Sequence, residues 1–286
     1  MLAAAKINLY LHIEGRRDDG YHTLDSLVAF CPDIADEVII TPAQAPAFSC
    51  EGPYAHALYG AADNDNLVMQ AARAFSALTG HELNCHITLH KNLPVSAGIG
   101  GGSSDAAACI HALAQFWGIT DMPDGLDTML LALGADVPAC FAAKGIYMRG
   151  IGEDITPLDA PLPDLHAVLI NPNVPCPTPP IFKALHASDF SGRAANAPRA
   201  FDDTRALVHF LSRQNNDLTR AARDHVPVIR DVLFALQKTQ NCAITRMSGS
   251  GATCFGLYYD HASAAQAAKM LSAAHPKWWV RNSSLR

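Results

Sequence analysis

The sequence lacks the long hydrophobic run and the closely spaced cysteine pairs that are typical of several classes of protein. No apolar stretch approaches the ~20 residues that a membrane-spanning helix requires, and the N-terminus leads directly into a strand pattern. The eight cysteines include no C-x-x-C pair, and most lie in apolar segments. We therefore expect a cytoplasmic protein with no membrane partner, in which the cysteines are buried thiols.

Positive charge is also scarce. The sequence has 21 Lys and Arg residues against 27 Asp and Glu residues, which gives a net charge of −6 at pH 7. This balance argues against nucleic acid as a partner and requires any phosphate ligand to be held by local geometry. Hydrophobic residues make up 49% of the 286 residues, which is enough for the cores of one large or two modest domains. His86 and His90 are the tightest histidine pair, but four residues of strand separate them by about 13 Å, too far for two ligands of one metal ion. We expect no metal ligands in the protein.

The most informative stretch is glycine-rich and runs from residue 93 to residue 105. Four glycines fall within five residues, no charged residue lies between Lys91 and Asp105, and an apolar helix pattern follows. Ser103 or Ser104 is a suitable N-cap, and Asp105 is expected in the first turn. The G-x-x-x-x-G-K-[ST] pattern is absent, because no lysine follows the glycines. A helix N-terminus behind unpaired N–H groups attracts anions, so the stretch predicts either a polyphosphate site or a glycine turn that only caps the helix.

Residues 3–13 alternate between apolar and polar side chains, which predicts a strand. Lys6 and Asn8 lie on its polar face, about 7 Å apart. This pair is either an ordinary solvated face or part of a site, and both interpretations stay open. A glycine-bounded turn then leads to Tyr21 and His22, which form either an aromatic platform or the filling of a hairpin.

An aspartate follows another predicted helix. The helix expected over 126–133 stops at Gly134, and Asp136 stands two residues before Pro138. Its carboxylate either caps the next turn or, near a phosphate-binding loop, accepts the proton of a substrate hydroxyl.

The second half of the chain follows the order strand–helix–helix–strand–strand–helix–strand. This order predicts an α+β sandwich with helices on one face of a largely antiparallel sheet. The proline-rich segment 157–163 is the candidate domain boundary. Two other segments have the composition of loops: 42–60 is rich in proline and glycine, and 188–203 is polar and rich in small residues, as in a mobile surface loop.

Three segments together resemble the GHMP kinase superfamily, namely residues 5–9, 93–107 and 247–252. Further segments are similar to one branch of that superfamily, which acts on a cytidine-diphosphate-linked polyol: 15–24, 65–67, 134–138 and 177–182. One of these motifs alone would be weak, but together and in this order they are specific. The resemblance extends over nearly the whole chain and is weakest in the two loop-like segments.

The resemblance implies an α+β fold with the two-domain GHMP kinase architecture. A ribosomal-S5-like N-terminal domain is expected over 1–158, and a C-terminal ferredoxin-like α/β plait over 159–286. The resemblance also implies ATP-dependent phosphorylation of a hydroxyl group of the cytidine-diphosphate-linked polyol, with Mg²⁺ held mainly by the nucleotide. We expect a monomer or weak homodimer whose partners are these two small molecules.

The resemblance assigns roles to single residues as well. Lys6 falls on the catalytic lysine of the family, Asp136 on its catalytic base and Asn8 on a substrate-contacting asparagine. The ATP phosphate loop is matched by Pro94, Val95, Ser96, Ala97, Gly98, Ile99, Gly100, Gly101, Gly102, Ser103 and Ser104. The positions that hold the cytidine-linked substrate are matched by Tyr21, His22, Thr178 and Phe182. The third motif, which lies against the active site, is matched by Gly249, Ser250 and Gly251. Asn66 and Lys91 stay open as neighbours of the adenine ring.

Two other functions stay open. A different GHMP kinase would act on homoserine, mevalonate or a sugar, and its sequence would lack the Gly-Tyr-His turn and Phe182. A non-catalytic sensor of a nucleotide or metabolite would bind ATP without turning it over. Such a sensor has no chemical need for Lys6 together with Asp136.

Overall fold

The computed structural model describes residues 1–58 and 66–286. The strands are β1 (Leu2–Arg16), β2 (His22–Pro42), β3 (Ala47–Glu51), β4 (Cys85–His90), β5 (Ile146–Gly150), β6 (Asp154–Pro157), β7 (His166–Asn171), β8 (Ile244–Met247), β9 (Cys254–Tyr258) and β10 (Trp279–Ser284). The helices are α1 (Leu67–Thr79), α2 (Gly101–Trp117), α3 (Leu126–Leu133), α4 (Val137–Ala142), α5 (Thr178–Lys183), α6 (Thr204–Leu211), α7 (Thr219–His225), α8 (Val228–Gln237) and α9 (His261–Ala274). Short 3₁₀ helices cover Ala55–Leu58 and Ala187–Asp189.

Packing divides the chain into two compact units. The first unit comprises Met1–Ala5, Ala35–Val95 and Gly100–Ala142, and the second comprises Lys6–Ile34, Ser96–Ile99 and Ala143–Arg286. This division follows a different line from the boundary expected at 158/159, because the long strands β1 and β2 each contribute residues to both units. The boundary at 158/159 stays a prediction.

In the first unit, the C-terminal part of β2 pairs antiparallel with β4, and β3 pairs parallel with β4. Helix α1 packs on α2, and its buried face includes Val68 and Phe75, which lie at helical spacing. The side-chain oxygen of Asn66 caps this helix by accepting from the Val68 N–H at 2.9 Å. Gly80 ends the helix in the left-handed conformation. The Asn66 cap and Gly80 thus define the two ends of α1.

In the second unit, four antiparallel strands form a sheet in the order β10-β7-β9-β8. Helices α8 and α9 pack against this sheet. The buried face of α8 includes Ile229, Val232 and Leu236, at the spacing of an amphipathic helix. The N-terminal part of β2 pairs with β5, which also pairs with β6. The predicted α+β class, with helices packed on an antiparallel sheet, is confirmed.

The prediction that 42–60 is a loop throughout is wrong. Residues 47–51 form β3, and a short 3₁₀ helix follows at Ala55–Leu58. The apolar side chains of Phe48 and Cys50 pack against the core of the first unit, and this packing stabilises a strand despite the prolines nearby. Residues 59 and 60 lie outside the described part of the chain.

The segment 188–203, expected to be a mobile surface loop, forms hydrogen bonds with buried carboxylates within the second unit. The buried carboxylate of Asp217 accepts from the Ser191 N–H at 2.9 Å and from the Ser191 hydroxyl at 2.7 Å. The Ala194 N–H donates to the buried Asp25 carboxylate at 2.9 Å. Polar and small residues here make long-range contacts that composition does not reveal, and the mobility of the segment stays a prediction.

The cysteines agree with their predicted state. All eight are free, and six of them are buried. Desolvation raises the pKa of the buried Cys176 thiol to about 11, so it is protonated at neutral pH. No helix within the described residues is long and apolar enough to cross a membrane.

Candidate active site

The glycine-rich stretch forms a loop between β4 and α2. Gly98 and Gly100 adopt left-handed backbone conformations with φ of 73° and 64°, which glycine reaches without a steric penalty. Gly100 is the N-cap of α2 and provides no side-chain capping bond. The first turn of the helix therefore presents N–H groups that no capping side chain covers.

The N-cap predicted at Ser103 or Ser104 is wrong. The left-handed Gly100 begins the helix at the next residue, so both serines lie inside the first turn and Asp105 lies beyond it. The Ser104 hydroxyl donates instead to the carbonyl oxygen of Ala4 at 2.8 Å. Within the first unit, this bond ties the start of α2 to β1.

A second glycine turn, at 248–251, lies against this loop inside the second unit. A Cβ atom on Gly98 would lie 2.5 Å from the Ser248 carbonyl oxygen, and one on Gly249 would lie 2.8 Å from the Gly98 carbonyl oxygen. The Ser248 hydroxyl donates to the Gly98 carbonyl oxygen at 2.8 Å and accepts from the Asn8 N–H at 3.2 Å. The two glycines therefore permit a contact between backbones that a larger residue would prevent.

Strand β1 brings Lys6 and Asn8 to the same loop in the second unit. The Lys6 N–H donates to the Ile99 carbonyl oxygen at 2.9 Å. Lys6 is 3% exposed and Asn8 is 1% exposed, so this polar face is buried rather than solvated. The Asn8 amide donates to the Ser26 hydroxyl at 2.8 Å, whereas its Oδ1 is buried with no hydrogen-bond partner among the described residues. A buried acceptor of this kind is costly unless a ligand satisfies it.

Asp136 immediately precedes α4 in the first unit and is partly exposed. Its carbonyl oxygen accepts from the Cys140 N–H at 3.0 Å. The Cys140 sulfur lies 3.3 Å from the Ser104 hydroxyl oxygen. The helix that begins after Asp136 therefore contacts the first turn of α2.

Three aromatic rings meet in the second unit. The His22 ring centroid lies 5.4 Å from that of Phe182, and 5.9 Å from that of Phe190, which meets it edge-on. Burial and the positive charge of Arg16 lower the pKa of His22, which favours the neutral imidazole at pH 7. Sequence reasoning missed Phe190, because no local pattern brings a residue of 188–203 to His22.

Tyr21 does not join this cluster. Tyr21 is 62% exposed. Within the described residues, its ring contacts no other aromatic ring. Its main chain closes the preceding turn, because its carbonyl oxygen accepts from the Arg17 N–H at 2.7 Å. The structure therefore groups His22 with Phe182 and leaves Tyr21 in solvent.

Thr178 lies at the start of α5 beside the third motif. Its hydroxyl shares a hydrogen bond of 2.8 Å with the Ser250 hydroxyl, and the Cys176 thiol donates to the Ser250 carbonyl oxygen at 3.1 Å. The helix begins at Thr178, because Pro179 and Pro180 fit its first turn. Residues 176–178 are thereby attached to the second glycine turn.

A buried ion cluster lies beside the glycine loop in the first unit. The Lys91 ammonium donates to Asp105 at 2.6 Å and also to Asp36. None of the three side chains is more than 4% exposed. Sequence reasoning missed the cluster, and its one sequence signal is the position of Lys91 and Asp105 at the two ends of a charge-free run.

The two residues left open as neighbours of adenine have structural roles in the first unit. Lys91 belongs to the ion cluster, and Asn66 caps α1. Asp65, which belongs to the segment 65–67 that resembles the family, lies outside the described residues. A contact of either residue with adenine stays a prediction.

Two family models match the chain. The model for the GHMP kinases N terminal domain matches residues 66–144, and that for GHMP kinases C terminal matches residues 194–277. The chain belongs to the GHMP kinase family and is accordingly a kinase. The resemblance carried by the three motifs is confirmed.

Within this family, the chain is similar to 4-diphosphocytidyl-2-C-methyl-D-erythritol kinases. The one from Paramagnetospirillum magneticum is 44% identical over 283 residues, which cover 99% of this chain and 97% of that relative. A crystal structure of a 4-(cytidine 5'-diphospho)-2C-methyl-D-erythritol kinase matches with a TM-score of 0.79 and 32% identity, and covers 100% of this chain and 98% of that chain. A homoserine kinase from Cytophaga hutchinsonii matches with a TM-score of 0.66 and 17% identity over 99% of this chain and 93% of its own, which shows a shared fold alone.

Proposed function

We propose that this chain transfers the terminal phosphoryl group of ATP to the 2-hydroxyl of 4-diphosphocytidyl-2-C-methyl-D-erythritol, a step in the non-mevalonate synthesis of isoprenoid precursors. Similarity over nearly the whole chain to kinases named for this substrate supports the proposal. The observation that supports this acceptor is that the ring of His22 contacts the rings of Phe182 and Phe190. A pyrimidine needs an aromatic face for stacking and a polar group at its edge, and this cluster offers both.

The glycine loop is proposed to hold the ATP phosphates. The uncapped N–H groups at the start of α2 and the helix dipole favour negative charge at this point. Gly102 supports the assignment, because a Cβ atom there would have no atom within 4 Å and the main chain is open to a ligand. No lysine of the G-x-x-x-x-G-K-[ST] type is needed, since main-chain donors carry the contact.

Lys6 and Asp136 are proposed as the catalytic pair. In phosphoryl transfer the protein mainly positions the reactants and stabilises charge. The Lys6 ammonium would stabilise negative charge near the acceptor oxygen. Asp136 would take the proton of the hydroxyl group. Each is supported by contacts within its own unit, Lys6 through its bond to Ile99 and Asp136 through the packing of α4 on α2.

Mg²⁺ is proposed to enter with ATP and to be held mainly by the nucleotide. When bound, the ion would neutralise part of the negative charge of the phosphates. Within the described residues, no group of three or more His, Cys, Asp or Glu side chains could hold a metal ion. The main-chain donors of the loop would hold the phosphates that carry the ion.

Three further residues are proposed to bind the acceptor. Asn8 has a buried side-chain oxygen without a partner among the described residues, which a substrate hydroxyl could satisfy. Thr178 is exposed and oriented by Ser250. Tyr21 is proposed to stack on the base from the solvent side, which agrees with the exposure of its ring.

The test is turnover of ATP with a panel of acceptors: the cytidine-linked polyol, homoserine, mevalonate and a sugar. We expect phosphorylation of the cytidine-linked polyol only, with the new ester on the 2-hydroxyl, as located by phosphorus–proton NMR of the product. Phosphorylation of another acceptor instead would contradict the proposed substrate. Binding of ATP without turnover of any acceptor would favour a sensor.

A further inference from the structure

The two carboxyl groups of the buried ion cluster differ in how they are satisfied. In Asp36, one oxygen accepts from the Leu93 N–H at 2.8 Å and from the Asn92 N–H, and the other accepts from Lys91. In Asp105, Oδ2 accepts from Lys91 at 2.6 Å, but Oδ1 is buried with no partner among the described residues. Asp36 thus has the environment of a carboxylate, and Asp105 does not.

Charge balance leads to the same assignment. Two carboxylates beside one ammonium would leave a net negative charge in a site that excludes water, which is strongly unfavourable. Burial raises the pKa of Asp105 to about 8, although the Lys91 ammonium opposes this shift. Burial opposes the charged form of Lys91, but the interactions of its ammonium with Asp105 and Asp36 outweigh burial and raise its pKa, so this ammonium stays charged. At pH 7 the cluster is therefore a Lys91–Asp36 ion pair with a neutral Asp105.

The cluster joins both ends of the glycine loop. Asp36 binds the main chain at residues 92 and 93, where the loop begins. Asp105 lies in α2, which starts where the loop ends. Lys91 lies against that start, because a Cβ atom on Gly101 would be 3.3 Å from its Nζ. One ammonium thus connects the strand that enters the loop to the helix that leaves it.

We propose, on the basis of the ATP-binding role given to the loop above, that Lys91 is a positioning residue for ATP and that it acts while Asp105 is an uncharged acid. Loss of the Asp105 proton places a negative charge within α2, close to the turn whose N–H groups face the phosphates. That charge repels the phosphates and offsets the positive potential that the helix dipole creates at the phosphates. The cluster thus couples the protonation of Asp105 to the affinity for ATP.

Other titratable groups surround the cluster. They are Cys50 and Glu51 on β3, Cys85 on β4 and Cys109 on α2. Burial raises the pKa of all three thiols, which favours their neutral form. Glu51 is exposed and lies 3.7 Å from the His90 ring. Asp105 is therefore the group that changes the charge of the cluster at alkaline pH.

The first test measures binding of a non-hydrolysable ATP analogue with Mg²⁺ by calorimetry from pH 6.5 to pH 9, without acceptor. Wild-type affinity is expected to fall several-fold between pH 7 and pH 9. Asp105→Asn keeps an oxygen for Lys91 and stays neutral, so it should bind as tightly as wild type at pH 7 and lose the alkaline fall. Asp202→Asn, at an exposed position, should follow the wild type. A flat wild-type profile, or the same profile for Asp105→Asn, would overturn the proposal.

The second test is Lys91→Met, which removes the ammonium at similar volume. KM for ATP is expected to rise at least about tenfold, with KM for the acceptor changed less than about twofold. Lys269→Met on the exposed side of α9 is the matched control and should change neither. An unchanged KM for ATP contradicts a positioning role. If Lys91→Met does not fold, as judged by its melting transition, the pH profile of Asp105→Asn decides alone.

The two proposals fail separately. The calorimetric titration contains no acceptor, so it reports on Lys91 and Asp105 whether or not the cytidine-linked polyol is the substrate. Turnover of a different acceptor would overturn the proposed function and leave the titration result intact.

Discussion

The glycine loop and the aromatic cluster are built from different parts of the chain. The loop consists of main chain, in which Gly98 and Gly100 provide conformations and open N–H groups in one continuous stretch. The cluster consists of the side chains of His22, Phe182 and Phe190, from three separate segments. A loop of this kind is damaged by added atoms, whereas a cluster of this kind is damaged by removed ones. Substitutions at the two places should therefore affect the two substrates separately.

The largest expected effect involves neither the glycine loop nor the aromatic cluster. Asp136→Asn keeps the size of the side chain but removes the proposed proton acceptor, so kcat should fall by about 10²–10⁴-fold. KM for ATP and for the acceptor should change little, because neither binding surface is altered. Steady-state kinetics with each substrate varied in turn measures both. Unchanged turnover would remove Asp136 from the catalytic pair.

Gly98→Ala tests the glycine loop by adding one carbon atom to it. The new Cβ would lie 2.5 Å from the Ser248 carbonyl oxygen at a φ of +73°, so the loop must shift. A displacement of about 1 Å costs on the order of 100-fold, and we expect that loss in kcat/KM for ATP. KM for the acceptor should stay within about twofold.

Gly80→Ala is the matched control for that change. Gly80 has the same φ of +73° at the end of α1, but a Cβ there would have no atom within 4 Å. The variant should lose about 1 kcal/mol of stability from backbone strain and keep its kinetics with ATP. An equal loss of ATP kinetics in both variants would mean that strain, and not the contact with the second glycine turn, causes the effect.

The glycine loop could be predicted from the sequence because glycines report directly on backbone conformation. The same property explains the error at the helix start: the left-handed Gly100 begins α2 before the serines that usually act as caps. Phe190 could not be predicted, because its contact with His22 depends on how 188–203 is fixed by Asp217 and Asp25. Such contacts between distant segments leave no periodic pattern in the sequence.

The burial of Lys6 and Asn8 gives the same lesson from strand β1. Alternation predicted the strand and the shared face of the two residues. It left open whether that face meets water, because burial depends on the later segments that cover it. The contacts of Asn8 with Ser26 and Ser248 cover it from two other parts of the chain.

Phe182→Ala tests the aromatic cluster by removing one of its rings. Loss of a stacking partner costs about 1–3 kcal/mol per base, so KM for the cytidine-linked acceptor should rise by about tenfold. KM for ATP should stay constant. Phe234→Ala is the control, because Phe234 is 60% exposed on α8 and lies outside the cluster. A selective rise in KM for ATP would show that the ring serves the other substrate.

The smallest expected effect concerns Phe190, the ring that meets His22 edge-on. Phe190→Leu lets water reach the imidazole, so the pKa of His22, which burial and Arg16 hold below 6.5, should rise. NMR titration of the His22 ring protons measures this shift. Phe201→Leu alters a ring that contacts Phe210 instead, so it should leave the pKa of His22 unchanged.

The kinetic consequence of Phe190→Leu follows from the direction of that shift. A raised pKa means that more of the imidazole is protonated at pH 6, while the two enzymes carry nearly the same neutral His22 at pH 8. If the neutral ring reads the edge of the cytosine, KM for the acceptor should rise about two- to threefold at pH 6 relative to wild type and converge with it at pH 8. An increase that is equal at both pH values would mean that Phe190 contributes packing alone. A residue other than His22 would then form the hydrogen bonds to the polar edge of the cytosine.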